Sequence, residues 1–129
     1  ILAATLENAG RLSKAGVAVS IADPGEATHN SRFIQQLAGN AAANGMSWED
    51  AFAAITRNPA ALYGRNDLGV LRAGATADVV IWDGDPLELM SSPDAVFIAG
   101  AETPMESRQT KLRDRYLNVN ETNPQAYER

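Results

Sequence analysis

The apolar pattern of this chain changes period near Gly64, and that change limits the folds open to it. Before it, apolar residues recur at helical spacing. Leu2, Leu6 and Ala9 form one set; Phe33, Ile34, Leu37, Ala38, Ala41 and Ala42 a second; Trp48, Ala51, Phe52 and Ile55 a third. Over residues 66–100 the period is near two or the apolar runs are short: GVLRAG, ADVVIWDG and AVFIAG, separated by glycine and proline. A spacing of 3.6 and a spacing of two build different faces, so one chain carrying both is a mixed α/β protein. Three stretches follow: a helical and strand part over residues 1–65, a β unit over residues 66–105, and a closing helix with a polar tail over residues 106–129.

Local signals refine this outline. Residues 1–15 read as a helix stopped by Gly16, and residues 17–22 (VAVSIA) as a short buried strand. Residues 23–30 form a loop with a Pro-Gly turn, and residues 31–44 a helix ended by Gly45. Ser47 caps the next helix, with Asp50 in the place of the usual Glu of a capping box. Its stripe of Trp48, Phe52 and Ile55 is expected in the core. Asn58-Pro59 breaks that helix, because the residue before proline is pushed out of helical geometry. A last turn over residues 59–63 stops at Gly64. The helix over residues 106–117 has Leu112, Tyr116 and Leu117 as its anchors.

Composition narrows the partners. The 129 residues carry a formal net charge of -5, and lysine and arginine cluster only over residues 108–115, so a nucleic-acid partner is not expected. That cluster reads as a solvated helix face. No run of about 18 apolar residues occurs, so no membrane partner is expected. The absence of cysteine excludes disulfides, thiolate metal sites and a cysteine nucleophile, and leaves the compartment open. The chain starts at Ile1 and enters helix-like sequence at once, which suggests a piece of a longer protein.

Few residues can carry chemistry. Asp23 stands right after the apolar stretch 17–22, where a carboxylate can bind a metal or accept a proton from water; Asp before Pro-Gly is also ordinary turn chemistry. Glu26 shares the loop. His29, the lone histidine, is either a site residue or merely structural, since one imidazole does not make a zinc site. Asp83 and Asp85 have the spacing of a metal-binding pair, but Asp-Gly-Asp-Pro is also a strong turn signal, and Pro86 prevents a central strand from continuing. The turn reading needs no further ligands and is the one adopted; Asp78 is then the entry to the strand.

Residues 54–88, AITRNPAALYGRNDLGVLRAGATADVVIWDGDPLE, closely resemble the C-terminal segment of the amidohydrolase superfamily, nearest to its imidazolonepropionase-like and prolidase-like group. The resemblance covers about residues 9–117. It implies the last strand and helices of a (β/α)8 TIM barrel, followed by C-terminal strands of a small β-sandwich and a closing helix. Residues 17–22 would be the last barrel strand, residues 31–64 the helices after it, and residues 68–100 sandwich strands. It further implies a divalent metal, zinc in the first instance, whose bound hydroxide attacks a C–N bond of an amide, dipeptide or cyclic substrate. Asp23 matches the carboxylate that binds the metal and takes the proton, although Ile21-Ala22 stands where relatives usually have Gly-Thr or Gly-Ser. His29 matches a His-Asn of some relatives and would touch substrate. The other metal ligands belong to earlier strands, so the chain is expected to be inactive alone. The alternative is a non-catalytic binding or oligomerisation module, derived from such an enzyme and stable alone or as a homo-oligomer.

Overall fold

In a computed structural model, the chain is described over residues 5–22 and 28–117. Helix α1 spans Asn8–Lys14. A 3-10 helix, Thr28–Phe33, runs into α2, Ile34–Ala43. Helices α3, Trp48–Ala53, and α4, Arg57–Leu62, follow. Strands β1, Val79–Trp82, β2, Pro93–Ile98, and β3, Ala101–Thr103, precede the last helix, α5, Arg108–Leu117. No helix among the described residues is long and apolar enough to cross a membrane.

The helix ends follow local chemistry. At the end of α2 the Met46 N–H donates to the Ala41 carbonyl (3.0 Å) and the Gly45 N–H to Ala42 (3.1 Å), the paired closure that needs a left-handed residue; Gly45 supplies it with φ +98°. Ser47 caps α3 as expected: it is extended (φ -68°, ψ 152°), and its hydroxyl accepts the Asp50 N–H at 3.1 Å. At α5 the capping is reciprocal, with Thr110 N–H on the Ser107 hydroxyl (3.1 Å) and Ser107 N–H on the Thr110 hydroxyl (2.8 Å).

Several sequence expectations are corrected. The helix expected over residues 31–44 starts in 3-10 form and becomes α-helical only at Ile34. The break between α3 and α4 lies at residues 54–56, and Asn58-Pro59 sits inside α4. Proline is tolerated there because the first-turn N–H groups of a helix have no partner within it. Residues 17–22 belong to no strand of the described structure, since a strand exists only against a neighbour. Residues 68–75 also carry no strand, so the β unit starts at Val79.

The sheet is antiparallel in the order β1-β2-β3, with Val80 opposite Val96 and Val96 opposite Thr103. The β2–β3 connection is a two-residue turn in which both residues have positive φ, Ala99 at 50° and Gly100 at 81°. That is the hairpin turn whose twist suits the strands.

The core lies among the helices and is built mostly of alanine, Ala38, Ala41, Ala51 and Ala54, with Met46 added from the connection between α2 and α3. Leu87, from the loop after β1, completes it at 7% exposure. The β unit therefore sends one side chain across the seam near Gly64 into the helical core. Its entry demands a glycine, because a Cβ on Gly39 would fall on the Leu87 carbonyl oxygen. Trp48, expected in the core, is 41% exposed and stacks on Phe52 with ring centroids 5.1 Å apart. The expected α5 anchors Leu112, Tyr116 and Leu117 are all exposed.

Candidate functional site

The conspicuous carboxylates after β1 are each committed to holding backbone. Asp83 accepts the Ser92 N–H at 2.7 Å, while its own N–H donates to the Ser92 carbonyl at 3.1 Å, which closes the β1–β2 connection. Asp85 accepts the Leu87 N–H at 2.9 Å and the Trp48 indole N–H at 3.0 and 2.9 Å. One carboxylate thus makes the turn and binds it to α3. Asp78 lies just before β1 and accepts the Ala99 N–H at 2.8 Å, while Gly100 N–H donates to the Ala77 carbonyl at 2.8 Å. It pins the β2–β3 turn. The three carboxylates face three separate partners and do not converge, as the turn reading requires.

Two more carboxylates are tuned. Asp67 receives a two-pronged contact from Arg65 (2.9 and 2.8 Å) and the Thr76 hydroxyl (2.8 Å). The Arg65 hydrogen bonds, then the Thr76 bond, hold its carboxyl well below the usual range. Asp50 accepts the Ser13 hydroxyl at 2.6 Å, which ties the end of α1 to the start of α3. That bond, then one from Ser47, lowers its pKa. Both carboxylates close loops or helix ends.

The segment leading to the proposed catalytic position is gripped by the α3–α4 corner. The Asn58 side-chain amide donates to the Val19 carbonyl at 2.8 Å, and the Ile21 N–H donates to the Ala54 carbonyl at 2.9 Å. Val19 and Ile21 also pack against the core. Asp23 and Glu26 lie outside the described residues. The backbone of His29 falls in the 3-10 helix, and its side chain is outside what is described. Sequence reasoning missed Asn58; its only signal was an amide side chain just before proline, taken there as a helix breaker. An open, largely apolar groove of about 480 Å³ lies beside this corner, lined by Ile55, Pro59, Ala60, Tyr63 and Leu68. Among the described residues, no group of three or more His, Cys, Asp or Glu is placed to hold a metal ion.

The chain thus combines helices packed around an alanine-rich core with a small antiparallel sheet. The chain matches the Amidohydrolase family over residues 1–109, and it belongs to that family. It is similar to the crystal structure of an amidohydrolase from Thermotoga maritima, with a TM-score of 0.71 and 31% identity over 78% of this chain. It is also similar to the amidohydrolase tasK of Hapsidospora irregularis, 40% identical over 57 residues, 43% of this chain. The chain spans 26% of the Thermotoga protein and 6% of tasK.

Proposed function

We propose that this chain is the C-terminal portion of a metal-dependent amidohydrolase that cleaves C–N bonds of small amides, dipeptides or cyclic amides, and that it is incomplete and inactive alone. The observation that carries the reading is the family match over residues 1–109 in a chain that spans only 26% of its solved relative. Residues 1–65 would end a TIM barrel, residues 66–105 belong to a β-sandwich, and residues 106–129 close the chain. A divalent metal, zinc in the first instance, would supply the activated water. The described residues do not fit a metal by themselves, so its other donors would come from the rest of such an enzyme. Asp23 would be the one ligand and proton acceptor given by this chain, and His29 would contact substrate.

The purified chain, dialysed against zinc and offered hydantoin, glycyl-proline and N-acetylated amino acids, should retain no stoichiometric metal and hydrolyse none of them. Tight zinc binding with turnover would sink the incomplete-enzyme reading. In the full-length protein Asp23→Asn should abolish turnover; activity surviving that change would remove Asp23 from the mechanism.

Exposed apolar side chains favour a second reading, a non-catalytic module that associates with itself. Leu62 and Tyr63 at the end of α4 are 73% and 82% exposed, and such surface commonly seeks a partner. Sedimentation of the chain separates the two: a well-defined homo-oligomer supports the module, and polydisperse association supports a cut enzyme.

A further inference from the structure

Two backbone groups two residues apart, the Val19 carbonyl and the Ile21 N–H, are held by the same corner of α3 and α4. The side chains of Val19 and Ile21 are the half-buried ones of their segment, while Ala18, Ser20 and Ala22 are exposed. The segment therefore has a fixed register: a slip of one residue would expose both apolar side chains and present the wrong backbone groups to the corner.

The corner is itself braced. The Thr56 hydroxyl donates to the Phe52 carbonyl at 2.7 Å. Gly69 lies so close to the Thr56–Arg57 peptide that a Cβ there would stand 2.6 Å from the Arg57 nitrogen. Asn58 is the second residue of α4 and is partly buried. Its donor matters specifically, because an aspartate of the same shape would turn only oxygen toward the Val19 carbonyl.

We infer that Asn58 is a positioning residue: together with the Ala54 carbonyl it sets the register of residues 17–22, the segment that precedes Asp23 in the chain. The inference rests on the proposed role of Asp23. Among the described residues the Asn58 side chain bonds only the Val19 carbonyl, so its loss should alter the rate of the reaction more than the binding of substrate.

The test uses the full-length protein with Asn58→Asp, Asn58→Ala and, as reference, Asp23→Asn. Turnover is measured on whichever of hydantoin, glycyl-proline or N-acetylated amino acids the unaltered protein hydrolyses, alongside backbone hydrogen exchange. Asn58→Asp should lower kcat at least about tenfold, since a displacement near 1 Å costs on the order of 10²-fold. KM should stay within about twofold by the same argument. Exchange should rise in peptides covering residues 17–22 and stay unchanged in α2. Unchanged kcat overturns the inference, whether or not residues 17–22 exchange faster. A fall in kcat with faster exchange throughout, α2 included, marks general loss of fold and overturns it too. If Asn58→Asp fails to fold, Asn58→Ala, which removes the donor without adding charge, is read by the same criteria. Turnover surviving Asp23→Asn defeats the premise, and the exchange of residues 17–22 then reports on the clamp separately.

Discussion

The Trp48 indole N–H donates to both oxygens of the Asp85 carboxylate, at 3.0 and 2.9 Å, across 37 residues of sequence. This contact fastens the loop after β1 to the start of α3 and holds Leu87 in the helical core. A carboxylate with metal-ligand spacing in the sequence is, in the fold, the latch between sheet and helices.

Removing the latch should loosen the joint without unfolding the helices. Asp85→Ala loses the Trp48 and Leu87 donors and should cost about 1–2 kcal/mol, a range set by charged hydrogen bonds near the surface. Asp85→Asn keeps an acceptor and should cost less. Urea titration followed by tryptophan fluorescence measures both; equal losses for the two substitutions would contradict the latch.

The Leu87 plug separates local propensity from packing. By propensity alone, Gly39→Ala inside α2 should gain about 1 kcal/mol. The new Cβ would fall on the Leu87 carbonyl oxygen, so the substitution should instead destabilise by about 1–3 kcal/mol, as overpacking does. Leu87→Ala should cost about 2–3 kcal/mol through loss of buried surface. Thermal or urea unfolding of the two variants decides; a stabilised Gly39→Ala would refute the docking of Leu87 on α2.

Strain at the β2–β3 turn can be relieved. Ala99 has φ 50°, a conformation that costs a non-glycine residue roughly 1 kcal/mol. Ala99→Gly should therefore stabilise the protein by up to about 1 kcal/mol, whereas Asp78→Ala, which removes the acceptor of the Ala99 N–H, should destabilise it. Opposite shifts of the urea midpoint confirm the pair.

Acid should weaken the loop between α4 and β1. Asp67 has its folded-state pKa depressed, chiefly by the Arg65 hydrogen bonds. The sign follows from linkage: a depressed carboxyl contributes stability above its unfolded value, near 3.9, and that contribution is lost as pH falls from there toward the lower folded value. The unaltered chain should lose stability more steeply below about pH 4 than Asp67→Asn, and the two should run parallel at neutral pH. Urea midpoints between pH 2 and pH 7 provide the comparison.

Much of the architecture was legible because it is local. The Ser47 cap, the stop at Gly45, and the Asp85–Leu87 turn bond all depend on residues within a few positions of one another, so sequence alone determined them. The long motif over residues 54–88 likewise determined the family, which the match over residues 1–109 bears out. What only tertiary structure decided is which distant groups meet. Sequence could not show that Leu87 rather than Trp48 fills the core, because burial depends on what packs opposite. Nor could it show that residues 17–22 pair with no strand among the described residues and are gripped by Asn58 and Ala54, some 39 and 33 residues away. Hydrogen bonds over such separations depend on the relative placement of whole helices, and no period or turn signal in the chain encodes that placement by itself.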